Sequence, residues 1–564
     1  MCYGNAVIAM NFSIYSPSHR PTCFRRAIPC LGVMISLWFG FSEPVRANVY
    51  PTNVRLNGGT TNVTASAGTS VIISYLLNEP ASSGVTVAIK SNATTLRTII
   101  IAGGNAGTAR GSNAVVWNGK DDSSNNVAPG NYSFHVTASA SGYGDWTQIS
   151  NDGDDGNYVY SPTSIAVNRN PNSPYYGRVF VANAIENPVG LFQPGDNVGL
   201  LKANADGSAA EEGIFSSGGW SWAGDAYSPW KIEISADDYT YVNDWTSNGI
   251  VLRFDQTVSS DSRTLVLRDD NWPESRQAKL TGPAIVGAGT NTQVWMADIR
   301  TNGVGIRRFK VSANGTLATN DLGTTIVPTG GNSHLTDYPY DVAVDRSNRI
   351  YTIQYETDSG NTNYRVFRFP AYDESGSPLT NSDWRIGSGD DDLRGASGIA
   401  VDAMATNVAV AFRGVGSGIS RTGGGVKVFS AADGSDVWAI PPALFHDYTD
   451  VAWDNAGNLY VCDAWDEVWR AYSPPGENQA TTAALATVQL LPSPALPTLS
   501  GSAYAAGQFQ FTLNGQANVT YIIQSSTNLQ SWTPAATNTS AAATRPISLA
   551  APGTRSFYRA LVSP

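Results

Sequence analysis

The sequence predicts an all-β protein: a β-propeller of six blades, with seven as the alternative, between an N-terminal β-sandwich and a small C-terminal β domain. Three observations predict it. A motif of an apolar strand, an Asp-led turn and a second apolar strand recurs about six times between residues 161 and 476. The composition favours short strands joined by tight turns, with 55 Gly and only 14% charged residues. Finally, the flanks of the repeat block alternate apolar and polar residues at the two-residue period of strands. At 564 residues the chain exceeds one ordinary core, and two to four domains are expected.

The chain opens with an export pattern. Arg25 and Arg26 precede an apolar stretch from Ala27 to Phe41, and Val45-Arg46-Ala47 offers a small-residue cleavage site. The stretch is short for a membrane span. Residues 1–47 therefore read as a signal peptide, and the mature chain is expected outside the cell or on its surface, without an integral span. The formal charge of −11 becomes −14 once those residues, with four Arg and one Glu, are removed. Nothing in that balance attracts nucleic acid. Cys462 is the one cysteine beyond residue 47, so no internal disulfide can form, and its apolar neighbours mark it as a buried small hydrophobe.

Residues 48–142 form the sandwich. Ser70-Val71-Ile72-Ile73-Ser74-Tyr75 and Val85-Thr86-Val87-Ala88-Ile89 are typical strands. The most specific stretch is Val115-Val116-Trp117-Asn118-Gly119-Lys120-Asp121-Asp122, followed by Pro129-Gly130-Asn131-Tyr132-Ser133-Phe134. An Asn-Gly turn and a Pro-Gly turn set its hairpin. This hairpin resembles that of the FlgD-type immunoglobulin-like domain. The resemblance implies an Ig-like spacer or docking module of exported proteins, without catalytic residues. The linker Asn151-Asp152-Gly153-Asp154-Asp155-Gly156 has alternating carboxylates that could ligate Ca²⁺, but no acid falls at the closing position of an EF-hand, so it reads as a solvated loop.

The propeller is expected over 143–491. Strand starts recur at Pro162, Pro229, Pro283, Pro339, Ala396 and Tyr448, about 52 to 67 residues apart, the size of a four-stranded blade with generous loops. Each sheet is apolar on both faces, so blades must stack until a circle closes. Val451-Ala452-Trp453-Asp454-Asn455-Ala456-Gly457-Asn458-Leu459-Tyr460-Val461-Cys462-Asp463 resembles the repeat of NHL-like six-bladed propellers. The run Ala486–Leu491 is expected to supply the last outer strand of the ring. Pro492–Pro497 is a Pro-rich linker. Residues 498–564 alternate again, and Tyr521-Ile522-Ile523-Gln524-Ser525-Ser526-Thr527-Asn528-Leu529-Gln530-Ser531-Trp532 with the terminal Phe557-Tyr558-Arg559-Ala560 resembles a C-terminal domain of exported proteins in Verrucomicrobia-like bacteria.

No standard catalytic signature is present, and only His135, His334 and His446 lie beyond residue 47. Loops leaving the second strands commonly converge at one end of a propeller channel. Two sets follow. Asn183, Asp244, Asp298, Glu356 and Asp463 are candidate Ca²⁺ ligands, as in the gluconolactonase-like enzymes; the alternative is that these side chains bond turn amides. Trp220, Trp222, Tyr227, Asp244, Trp245, Tyr355, Arg413 and Trp465 are candidate ligand contacts, since aromatic rings on Gly-rich loops stack sugars or anchor partners. The leading functional expectation is a secreted, non-catalytic binding or scaffolding protein for an extracellular protein or glycan. The alternative is a Ca²⁺-assisted hydrolase or carbohydrate lyase. The two separate on whether the strand-end acids converge.

Overall fold

The computed structural model describes residues 48–563, except 191, 223–226, 246–249, 268–279, 299–304, 319–320, 322, 338, 355–363, 375, 388–392, 415–422, 444–445, 493–495 and 551–554. The proposed signal peptide, Tyr355 and Glu356 lie outside the described residues.

Six four-stranded antiparallel sheets make the blades. Their innermost strands are Pro162–Val167, Lys231–Ile234, Leu280–Val286, Pro339–Val344, Ala396–Val401 and Tyr448–Trp453. We number the blades 1 to 6 in that order. Each innermost strand touches the next, and that of blade 6 touches that of blade 1, so the ring is closed. Six apolar clusters fill the six gaps between neighbouring blades. Blades 6 and 1, for example, meet through Tyr460, Cys462 and Trp469 on one side and Ile165, Val179 and Leu201 on the other. A sheet apolar on both faces finds a partner for each face only in a closed circle. Cys462 is fully buried there, and burial pushes its thiol well above the ordinary pKa, as expected of an inert core residue.

The Asp-led turn of the repeat is equally physical. Asp345 accepts from the amides of Ser347 and Arg349, Asp402 from those of Thr406 and Asn407, and Asp454 from that of Asn458. One carboxylate thus satisfies the amides of a tight turn that joins first and second strands.

The ring is not closed by Ala486–Leu491. Blade 6 takes its outer strand from Thr147–Gln148, just before blade 1, with Gln148 opposite Tyr472 and Thr147 opposite Ser473. Trp146 reinforces the joint by stacking on Trp438 at 4.7 Å. The segment after blade 6 runs back into the sandwich instead. Gly476–Ala483 pairs with the far half of Gly130–Tyr143, and Val488–Leu491 lies between Val63–Ser66 and the near half of that strand. Val488 and Leu490 are buried with Ile73, Val87, Trp117 and Phe134 in the sandwich core. Alternation alone could not choose between the two destinations of this run, because it fits any half-buried strand.

Sandwich and ring therefore complete each other. Between them, Asn458 donates to the carbonyl of Asn48 at 2.8 Å, and Asn48 donates to that of Pro474 at 2.9 Å. Tyr460 donates to Asp454 at 3.1 Å, with the Tyr50 hydroxyl beside it. Burial pushes the Asp454 carboxyl up to about 6 against these bonds, and burial likewise raises Glu79, bonded to Ser473, to about 7.

The C-terminal domain holds two three-stranded sheets around Phe511, Leu513, Tyr521, Ile523 and Ile547. Arg545 is buried and donates to the carbonyls of Gln516, Val519, Asn538, Ser540 and Ala542, gathering two connections on one guanidinium. No described helix is long and apolar enough to cross a membrane.

The return of 486–491 to the sandwich core sets an expectation for two adjacent leucines. Leu490→Ala should lower stability in urea unfolding by about 2–4 kcal/mol, as for a buried leucine. Leu491→Ala, at 43% exposure, should change it by under about 0.5 kcal/mol. Equal effects would contradict this strand's register.

Candidate binding site at the mouth of the propeller channel

The site is built on the first residues of the inner strands. In blades 1, 4, 5 and 6 the register against the second strand slips by one residue at Thr163, Tyr340, Ser397 and Thr449. Such bulges re-aim the side chains around them, and here they feed two belts of bonds between blades. In the first, the bulged residue donates to the carbonyl of the residue just before its own equivalent in the next blade: Thr163 to Pro229, Ser397 to Tyr448 and Thr449 to Pro162, at 2.7–2.9 Å. In the second, the following side chain accepts an amide of the next blade. Ser164 accepts from Ile232, Asp341 from Ile399, and Asp450 from Ile165.

Blade 2 breaks the second belt with Lys231, which has no acceptor to offer. The next blade presents Pro283 at the matching place, which has no amide to satisfy. Lys231 turns instead across the axis to the blades two and four places on. Its Nζ lies 2.9 Å from Asp450 Oδ1 and 3.3 Å from Asp341 Oδ2, and it donates to the carbonyl of Ser397 at 2.7 Å. The Ser164 hydroxyl donates to Asp450. Gly282 and Gly398 make room: a Cβ at either would stand 2.2 Å from an Asp341 or Asp450 oxygen. Burial opposes the Lys231 charge, but Asp341 and Asp450 outweigh it and hold the ammonium above its ordinary pKa. Burial pushes Asp341 up to about 7, with Lys231 opposing and Asp450 reinforcing the shift.

This triad plugs the channel. The space left along the axis, bordered also by Arg169, Glu233 and Trp453, is ≈ 60 Å³. That is room for about four waters, whereas small-molecule pockets run to about 300 Å³ or more. A ligand at this end must sit on the mouth.

Among the described residues, the strand-end side chains do not form the expected Ca²⁺ cage. Asn183 accepts from Ser161 N and donates to the carbonyls of Ile185, Gly195 and Asn197. Asp244 accepts from Trp220 Nε1 at 2.9 Å and Ser228 Oγ at 2.6 Å. Asp463 accepts from the amides of Asp447 and Trp465, from His446 Nδ1 at 2.7 Å and from Arg470 at 3.2 Å. Asp298 is fully buried at its strand end. Among the described residues, Asp244, Asp298 and Asp463 share no common donor cluster; the group that does gather is His446, Asp463 and Asp466. Arg470 already occupies it, 3.2 Å from Asp463 and 2.6 Å from Asp466, and it also pairs with Asp152. The physical reason for the difference is that these oxygens close turns and ion pairs where a cation would need them free.

The aromatic candidates separate in the same way. Trp222 is buried, with Nε1 on the carbonyl of Ser217, and half-buried Trp220 lies edge-on to it at 6.4 Å under the Arg263 guanidinium. They are not the exposed pair a sugar would need. Tyr227 and Trp245 do come together, 6.3 Å apart, with Trp230 and Tyr340, two aromatics that hold equivalent positions in repeats 2 and 4. Trp230 is buried and fixed by a 2.7 Å bond from Nε1 to Thr281, 5.9 Å from Lys231 Nζ. Tyr227 is 51% exposed, and Trp245 and Tyr340 are half-buried. The rings form a platform directly over the plug. Elsewhere on the mouth, Arg413 grips Asp447 through two bonds of 2.6 and 2.7 Å, and His446 stacks on Tyr448. The sequence signal that could have found the platform is the shared position of Trp230 and Tyr340, one residue before Lys231 and Asp341.

The class of protein is thus an all-β chain of a closed propeller with a sandwich that shares its strands. More particularly, residues 59–142 match the family described as the FlgD Ig-like domain. No curated protein matches the chain. Similar solved structures include a glucose dehydrogenase, at 12% identity over 58% of this chain and 98% of that one, with a TM-score of 0.29. Another is the complex of KlAtg21 with the coiled coil of AgAtg16, at 10% identity, 67% and 99% coverage and a TM-score of 0.28. A third is the β-propeller domain of the Trilobed protease from Pyrococcus furiosus, at 9% identity, 63% and 89% coverage and a TM-score of 0.26.

The plug predicts a pH dependence. A carboxyl whose folded pKa is raised contributes stability that is present below its unfolded pKa, about 4, and lost as pH rises through the folded value. Asp341, Glu79 and Asp454 all have this sign, so the melting temperature should fall between pH 5 and pH 8. Asp341→Asn, which keeps an acceptor for Ile399, should flatten that slope. Lys231→Met, by leaving the carboxylates unpaired, should cost about 3–5 kcal/mol at pH 8 and less at pH 5. An unchanged slope in Asp341→Asn would contradict the assignment.

Proposed function

We propose that the chain is a secreted or cell-surface binding and scaffolding protein that recognises an extracellular protein or glycan with the mouth of its propeller. Residues 1–47 act as the signal peptide in this reading. The FlgD-type module is the spacer, the ring is NHL-like, and the C-terminal domain is the kind found on exported proteins of Verrucomicrobia-like bacteria. The observation that carries the proposal is the ring platform of Tyr227, Trp230, Trp245 and Tyr340 above a plugged channel. The plug removes depth, while the platform supplies aromatic area with Tyr227 exposed and Trp245 and Tyr340 half-buried, the kind of residue that dominates recognition energy. Trp245 adds an indole N–H with no acceptor among the described residues, available to a ligand oxygen.

Glycan-array screening followed by calorimetry on the recovered ligand, with protein partners screened in parallel, tests this. Trp245→Ala and Tyr227→Ala should each weaken binding by about 10-fold or more, and should leave the melting temperature within a few degrees. A ligand whose affinity ignores both substitutions would refute the mouth as the site.

A further inference from the structure

Blade 1 carries a second feature, separate from the platform. The described residues 184–190 and 192–197, between its second and third strands, are held from beneath by two buried polar side chains. Asn183 bonds the carbonyls of Ile185, Gly195 and Asn197. Asp196, 1% exposed, accepts from the amides of Phe192 and Gln193 at 2.9 Å, from Asn187 Nδ2 at 2.8 Å and from Tyr158 OH at 2.7 Å. Burial works against the Asp196 charge, but these donors hold its carboxyl below the usual range. Asn183, Asn187 and Asp196 turn inward, while apolar groups face out: Ile185 is 41% exposed, Val189 80% and Phe192 82%. A loop that only connected strands would have no use for that arrangement, since exposing them gains no burial.

The charge around the loop is one-sided. Glu186 is exposed beside Ile185, and Glu467 of blade 6 reaches Tyr158, the same phenol that Asp196 holds. Burial raises the Glu467 pKa, with the Tyr158 bond opposing the shift and the Asp196 charge adding to it. None of Glu186, Asp196 and Glu467 has a cation partner among the described residues.

We propose that residues 184–190 and 192–197 of this connection form a docking surface for a protein segment that sets an apolar side chain against Val189 and Phe192 and basic side chains against Glu186 and Glu467. The inference goes beyond the mouth platform and uses none of its residues. The basic requirement follows from complementarity, which steers encounter and rejects acidic partners. An apolar anchor on a braced loop binds without the cost of ordering it.

The test is selection of a phage-displayed random-peptide library on the full chain. Enriched peptides should pair an aromatic or aliphatic residue with Lys or Arg. The double variant Val189→Ser with Phe192→Ser should lose at least 10-fold in affinity, and Glu186→Lys should lose several-fold at low salt and little at high salt. Both should melt with the wild type, because the altered side chains are exposed. Trp245→Ala should bind these peptides normally, which separates this surface from the mouth. The proposal is overturned by failure to enrich any peptide, by peptides without basic residues, or by binding that survives the double variant. It is equally overturned by Phe192-dependent binding to phosphatidylcholine vesicles, or by Phe192-dependent dimers in sedimentation, which would name a lipid surface or a second copy as the occupant.

Discussion

One buried ammonium organises the centre of this protein. Lys231 pairs with Asp341 and Asp450 across the axis, so alternate blades are tied through a single atom while neighbouring blades are tied by amide-to-side-chain bonds. Removing a lysine from water costs several kcal/mol unless geometry and hydrogen bonds compensate. Here two carboxylates and a carbonyl do so. The benefit is one of specificity. Blades built on nearly the same motif could stack in a wrong order or number, and one cation that must meet two anions at set separations around the ring allows few such errors. The degenerate start of blade 3 follows from the same constraint. Lys231 cannot accept an amide, so Pro283 stands where an amide would be, and Gly282 yields its side-chain space to Asp341.

Much of this is legible in the sequence. The repeat spacing gave the blades, and the Asp of each turn gave the hairpins, because both are local features that the sequence carries within a few residues. Ring closure was not legible for a physical reason. Thr147–Gln148 is only two residues long and has no periodicity to read, while Val488–Leu491 has the alternation of an outer strand but finds its apolar partners in the sandwich. Pattern shows which side of a strand is buried and not against what. The strand-end acids pose the same problem at the scale of one side chain. Asp244 or Asp463 would look alike in sequence whether it held a cation or three donors, and the count of donors already present decides.

The exchange of strands changes what the N-terminal module is. The family match covers 59–142, yet two strands of that sheet come from 476–491, and the ring in turn needs 147–148. A bead on a string would keep its own edges; this module has given one of them to the chain that returns from blade 6. Open sheet edges are sites of unwanted pairing, and reciprocal closure covers one in each unit. Motions between sandwich and ring would break the bonds from Asn458 to Asn48 and from Asn48 to Pro474, so the pair should respond to load as one body.

That rigidity bears on where recognition can occur. With the axis plugged and the sandwich locked to the ring, variation is left to the loops at the channel mouth, which the frame holds at fixed separations. Asp196 and Asn183 show how such a loop is shaped: polar groups bonded beneath, apolar groups turned outward. Trp230 does the same for the platform, a buried ring that fixes the exposed edges of Tyr227 and Trp245. In both places a residue that never meets a partner sets the geometry of those that would. A frame held by charge at its axis, with its contact surfaces braced from below, suits binding in which little order is left to be lost on contact.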